Sequence, residues 1–187
     1  SHTWENKLVD GIWTYSLDDA WAGLRDAYSN LNEECNNKFG SYISELSSLG
    51  FSAMMHGYLP FDKDDNQLAE FRTWRNTVTA EASKELTELF DFNIPQRWSI
   101  AHLYQAMING EEHAACIAHL TTLAGYIHYM LSGQRVVGIG EASGMFPIDS
   151  TTNNYNLDMV EKFNSLPKVK ALGINILDLL PKALLAG

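Results

Sequence analysis

Apolar residues recur at steps of three and four through Ala20, Trp21, Leu24, Ala27, Tyr28, Leu31 and Cys35, while Asp18, Asp19, Arg25, Asp26 and Asn30 fall on the other side. That period predicts an amphipathic helix ending near Gly40. Ser16, followed three residues later by Asp19, resembles a capping box with Asp in place of Glu, a start signal worth about 1 kcal/mol. The period then changes. Leu49, Phe51 and Ala53 alternate with small or polar residues before Met54 and Met55 run into His56-Gly57. This predicts a strand with one buried face that stops on an imidazole. "DKDDNQ" is a polar turn cluster, and residues 68–74 read as a second strand completing a hairpin. Helical spacing returns over residues 79–90, 99–109 and 122–132, the last stopped by Gly133, and once more after Asn156. "VVGIGEASGMFPID" is too rich in glycine for a helix and too irregular for a plain strand, so it reads as a structured loop. The pattern is α/β and helix-rich, a single unit with a small sheet of two strands and five or six helices, without internal repeats. So few strands leave sheet edges bare, which proteins normally cover or charge.

Composition narrows the function classes. At 187 residues and 45% apolar content the chain is long enough for one real core. Its formal charge of −10, from 23 acids against 13 bases with no basic run, argues against nucleic acid as a partner. Apolar runs fall well short of the ~20 residues of a membrane span, so no membrane association is expected. Cys35 and Cys116 suit reduced, packed thiols better than a disulfide framework, and the whole reads as a cytoplasmic protein.

Several residues could carry chemistry. Gly138, Gly140 and Gly144 fail the dinucleotide fingerprint on spacing, and Pro147 follows too soon for a helix. No phosphate-cradling lysine loop is present. His113 and His119, six apart, fall on different faces if the segment is helical, which does not suit one metal ion, and no metal site is expected. His102 shares a helix face with Gln105 and Asn109, opposite Leu103 and Met107, and so points away from the core to solvent or to a cleft. His56 stands where α/β proteins place ligand-contacting side chains, outside the carboxyl end of a strand. The plain alternative for it is an imidazole bonded to backbone. Arg72, Arg75 and Asn76, flanking Trp74 in "FRTWRNT", and Glu141 in the glycine loop are further polar candidates, against the plain reading of exposed charges at a strand end.

The order of these pieces resembles the first domain of the FGGY carbohydrate kinases. "SAMMHG" is similar to the strand-end Met-His-Gly of the xylulokinase-like members, and "RTWRN" to their Trp-x-Asp segment. "LTTLAGYIHYMLSG" resembles their helix ending in Leu-Thr-Gly, with Ser132 in the Thr position. "GEASGMFPID" resembles the Asp-Ala-Ala-Gly-Thr loop and the aspartate after it, here Asp149, and "ILDLLPKALLAG" the Leu-Leu-Pro run that closes the domain. Each motif alone is weak; the ordered set is specific and spans essentially the whole chain.

The resemblance implies an incomplete ribonuclease H-like lobe of the actin-like ATPase architecture, with residues 1–187 as part of the sugar-binding domain. It implies an ATP-dependent, Mg²⁺-assisted transfer of phosphate to a sugar hydroxyl. The family's phosphate-facing Asp-x-Gly-Thr hairpin would precede residue 1, and its general-base aspartate and second domain would follow residue 187. This stretch alone is therefore expected to be inactive and to hold no ATP or Mg²⁺, because phosphoryl transfer depends on placing nucleophile, phosphate and metal together. Met55 and His56 take the positions that contact sugar, and Trp98 sits near an aromatic that packs on it; His102, Asn76 and Glu141 are secondary candidates. Asn76 and Val78 replace the family's carboxylate and guanidinium, so the substrate is open, with a pentulose first and a hexulose or polyol next. The competing class is a non-catalytic helical interaction or sensor module with structural histidines. The absent hairpin leads to one more expectation for this stretch, a homodimer or self-association through its bare strand edge.

Overall fold

The computed structural model describes residues 1–185, so the end of the "PKALLAG" run lies outside the described residues. It opens with a hairpin that the pattern reading missed. Strands β1 (Lys7–Val9) and β2 (Ile12–Thr14) pair antiparallel with Leu8 opposite Trp13. Asp10 and Gly11 between them take φ of 48° and 79°. Two successive positive φ values are what a tight type I′ hairpin turn requires, and Asp-Gly supplies them cheaply.

Helix α1 (Leu17–Phe39) begins as expected, with the Asp19 amide donating to Ser16 Oγ at 3.3 Å, and stops at a left-handed Gly40. Its stripe is buried only at the start. Ala20 is covered and the Trp21 indole donates to the Tyr126 hydroxyl at 3.2 Å, but Leu24, Tyr28 and Leu31 are exposed. The strand expected over residues 49–55 does not form, since no neighbouring segment among the described residues offers it a hydrogen-bonding ladder. The paired strand lies further on. Strand β3 (Leu59–Phe61), wholly buried, runs antiparallel to β4 (His119–Thr121). The returning chain meets β3 and its flank only through single bridges, Phe61 to Gln67 and Tyr58 to Arg72, so the hairpin around "DKDDNQ" survives in reduced form.

Helices α2 (Ala80–Phe90) and α3 (Ser99–Asn109) fall where spacing placed them. His113 lies on a one-turn 3-10 helix (Glu112–Ala115) and His119 on β4, so the shared-helix geometry used to separate them is not the geometry adopted. Helix α4 (Leu123–Ser132) is capped by Thr122, whose hydroxyl accepts from the Gly125 amide. The glycine-rich loop resolves into β5 (Val136–Gly138), a single turn α5 (Ile139–Ala142) and β6 (Ile148–Asp149), which pairs with β7 (Asn154–Tyr155). Helices α6 (Leu157–Ser165), α7 (Pro167–Ala171) and α8 (Ile176–Leu179) lead to β8 (Lys182–Leu184), parallel to β5. The described strands thus form four separate pairs.

Two apolar clusters hold this together. The larger joins α2, α3 and α6 around Phe146 and Phe163; the smaller joins Leu59, Phe61 and Phe71 to Leu123, Tyr126 and Ile127 beneath the start of α1. Burying such side chains contributes about 1.5–3 kcal/mol each. Neither cysteine is packed in them: Cys116 is exposed and Cys35 half-buried. Among the described residues no helix is long and apolar enough to cross a membrane.

Candidate functional site

The chain turns sharply after Met55. His56 takes a φ of 85° and Gly57 one of 98°, and such conformations in a non-glycine residue cost about 1–3 kcal/mol unless the surroundings impose them. They are imposed here. The Gly57 amide donates to the Arg97 carbonyl at 3.1 Å, and the Ser99 hydroxyl at the start of α3 donates to the Gly57 carbonyl at 2.6 Å. Tyr58 and Arg72 exchange backbone bonds at 2.9 and 3.1 Å immediately after. Only glycine fits at 57, because a Cβ there would stand 2.6 Å from the Arg72 carbonyl oxygen.

This turn aims the His56 ring at the glycine loop. Its Nδ1 lies 3.4 Å from the Gly144 carbonyl, and a Cβ on Gly144 would come within 2.4 Å of that nitrogen and 3.2 Å of Met55 Cε. The Met145 carbonyl accepts from the Ile100 amide at 3.1 Å, tying the same loop to α3. The turn after Met55, the start of α3 and the glycine loop therefore meet at one point, with no strand ending at His56 where the sequence pattern predicts one. Burial lowers the His56 pKa, the Gly144 carbonyl acts against that, and the Arg97 charge lowers it further, leaving it below the ordinary value. The ring is thus neutral near pH 7. With Nδ1–H donating to Gly144, Nε2 carries the lone pair and is left as an acceptor. Met55, 40% exposed, stands beside it.

The other candidates separate. Trp98 is the N-cap residue of α3, half-buried, its ring centroid 6.3 Å from that of Phe92, and it adjoins the Ser99 that holds Gly57. Glu141 adjoins the site through its backbone, its carbonyl accepting from the Gly144 amide at 3.0 Å. Its carboxylate turns instead to Thr122, whose hydroxyl donates to Oε1, and burial pushes its pKa up. It lines a cavity of about 280 Å³ with Leu49, Phe51 and His128. Asn76 is 2% exposed and spends its amide on Trp13, accepting from its N–H and donating to its carbonyl, both at 2.8 Å. It fastens the first hairpin to the chain.

His102 corrects the helix-face reading. It does not point away from the core: it is fully buried, with Tyr58 stacked 6.1 Å away. Neither ring nitrogen has a partner, and burial, with a smaller contribution from Arg72, drives its pKa down to about 3. Residues 99–107 of α3 are all buried, so this helix has no wet face there to receive it. The absence of any charged residue from Ser99 to Asn109 was the available signal, since a helix without a charged face is usually enclosed.

Sequence reasoning named Arg72 but missed the polar cluster it joins behind the turn. Arg72 pairs with Glu111 through both carboxylate oxygens, the Tyr58 hydroxyl lies 2.7 Å from His113 Nε2, and His113 Nδ1 is 3.5 Å from Glu111. The Arg72 guanidinium also lies 5.2 Å from the centre of the Tyr58 ring. This cluster braces the residues that follow His56.

The arrangement is the fold of the sugar kinases, one lobe of the actin-like ATPase architecture. The xylulose kinase from Rhodospirillum rubrum superposes with a TM-score of 0.75 at 17% identity, over 97% of this chain and 37% of its own. The gluconate kinase from Lactobacillus acidophilus gives 0.76 at 13% identity, over 98% and 36%. In sequence the chain is 19% identical over 183 residues to the xylulose kinase of Staphylococcus xylosus, covering 88% of this chain and 38% of the relative. No family model matches. The resemblance to FGGY carbohydrate kinases thus stands in both sequence and fold, and the chain spans less than two-fifths of the length of these relatives.

Proposed function

We propose that these residues are the sugar-holding part of an ATP-dependent carbohydrate kinase of the FGGY type, with a ketose, a pentulose first, as substrate. The observation that carries the reading is the forced turn at His56-Gly57, which directs a neutral imidazole beside the Gly144 loop with its Nε2 uncommitted. Such a nitrogen accepts a hydrogen bond from a hydroxyl group, and Met55 and Trp98 offer apolar surface to C–H groups beside it. Among the described residues no three carboxylate, imidazole or thiol groups converge as a metal cage needs. ATP and Mg²⁺ are proposed for the complete polypeptide, and this stretch alone is proposed to be inactive.

The test is a coupled assay for ATP-dependent phosphorylation on the complete polypeptide, run across pentuloses, hexuloses, gluconate and glycerol. His56→Ala is expected to lower kcat/KM for the preferred sugar about tenfold or more, since an unpaired polar contact in a closed site costs ~1–3 kcal/mol. Unchanged kinetics in that variant would return His56 to the role of a backbone-bonded imidazole.

A further inference from the structure

His56 is kept at positive φ by residues that its own ring does not touch. A Cβ at Gly57 would stand 2.6 Å from the Arg72 carbonyl oxygen, so that carbonyl lies close against the turn, and any retreat of the Arg72 backbone gives the turn room to relax. Arg72 is kept in place from two sides. Its backbone exchanges hydrogen bonds with Tyr58, the residue after Gly57, and its guanidinium, almost covered, pairs with both carboxylate oxygens of Glu111. The wholly buried Tyr58 ring packs against the same guanidinium.

Glu111 in turn is fixed to α3. Just past the left-handed Gly110 that stops this helix, its amide donates to the Ala106 carbonyl at 2.9 Å. Its Oε1 accepts from Asn109 Nδ2 at 3.2 Å, and Asn109 Oδ1 accepts from Gln105 Nε2 at 3.0 Å. Helix α3 therefore grips the turn twice. Ser99 at its start donates to the Gly57 carbonyl, and Glu111 at its end holds Arg72. An ion pair so covered is a weak source of stability, because taking its charges out of water offsets most of their attraction, and apolar residues of similar volume often do as well. What a forked guanidinium–carboxylate pair supplies beyond that is direction, since it fixes distance and orientation together.

We infer that Glu111 is a positioning residue for His56: through the Arg72 guanidinium it holds the Arg72 carbonyl against Gly57 and so keeps the imidazole beside Gly144. The inference concerns the aim of the ring, and only its kinetic test rests on the sugar-kinase reading. In the 187-residue protein, two-bond proton–nitrogen correlation spectra, with His56 assigned by the signals lost in His56→Ala, should show the ring protonated at Nδ1. Glu111→Gln removes the charge, and Arg72→Lys keeps the cation but loses the fork. Each should move His56 to the mixed tautomers of an unheld neutral ring, because the bond to Gly144 that selects Nδ1–H is lost. Glu85→Gln, which neutralises the carboxylate bonded to Tyr104 elsewhere on α3, should leave the tautomer unchanged. In the complete polypeptide, Glu111→Gln should lower kcat/KM for the preferred sugar about tenfold, yet less than about twofold once His56 is already alanine. A ring still protonated at Nδ1 in both variants overturns the inference, as does a wild-type ring protonated at Nε2, a tautomer equally lost in Glu85→Gln, or an equal kinetic loss with and without His56. If the complete polypeptide phosphorylates none of the sugars, the sugar-kinase reading fails by itself and the tautomer still decides the role of Glu111.

Discussion

Replacing His102 with leucine should stabilise the protein, and the gain should grow in acid. The ring is fully buried and both nitrogens lack partners, so the folded state carries a desolvation cost of about 1–3 kcal/mol for the ring as a whole. Leucine is close in size and removes that cost, while giving up the stacking on Tyr58, worth about 0.5–1.5 kcal/mol. The expected net change near pH 7 is a gain of about 1–2 kcal/mol. Acid adds a second contribution with a definite sign. Burial holds the folded pKa at about 3, whereas the unfolded ring titrates at the ordinary 6.5. Below the unfolded value the denatured chain takes up a proton that the native ring refuses, so stability falls as pH drops from about 6.5 toward 3. At about pH 4.5 the loss is roughly 3 kcal/mol, two pH units below the unfolded value. His102→Leu has nothing to protonate, so its advantage should widen to about 4 kcal/mol there. Urea denaturation followed by circular dichroism at the two pH values measures both numbers. Other histidines with lowered pKa values, His56, His113 and His119, are common to both proteins and cancel in the difference. A variant less stable at neutral pH, with a gap that does not change in acid, would mean that His102 is hydrogen-bonded and titrates normally.

Two further outcomes follow from the same geometry. Arg72→Met should lose about 2–4 kcal/mol in thermal or urea melts, because Glu111 is left three-quarters covered beside a missing cation; a loss below about 0.5 kcal/mol would show that the pair contributes nothing. His56→Gly should be more stable than His56→Ala by about 1 kcal/mol despite glycine's greater freedom when unfolded, since only glycine adopts φ near 85° without strain; the reverse order would show that the turn is relaxed.

What the sequence disclosed divides along a physical line. Helix bounds were legible because their signals are local: Ser16 accepts the capping bond expected of it, Thr122 and Asn156 accept capping bonds at the starts read from spacing, and Gly40, Gly110 and Gly133 stop helices in the left-handed conformation. The Asp10-Gly11 turn carried an equally local signal that went unread. Strand formation was less legible because a strand depends on its neighbours. Residues 49–55 have the right alternation and no ladder, whereas Leu59–Phe61 lies in a short run that only the later arrival of His119–Thr121 turns into a strand. His102 failed for a third reason. Face arguments assume that a helix has an outside, and α3 is enclosed along the stretch that carries this ring.

The histidines themselves show why His56 is the residue to pursue. His113 faces Tyr58 and Glu111, His119 lies against Asp65 and Phe61 with its Nδ1 buried, and His102 is enclosed with neither nitrogen partnered, so His102 and His119 offer no unpartnered nitrogen that a ligand could reach. His56 alone among them sits at positive φ, held there by bonds that belong to its neighbours rather than to its own ring. If the imidazole served only to satisfy the Gly144 carbonyl, a relaxed backbone with a water molecule would serve as well at lower cost, since a neutral hydrogen bond returns only about 1 kcal/mol. Strain of 1–3 kcal/mol kept at a half-exposed ring, with Gly144 reduced to a bare backbone so that the ring can approach, is disproportionate to that task. It is in proportion to the role proposed for His56, in which Nε2, an acceptor left without a protein partner, meets a sugar hydroxyl.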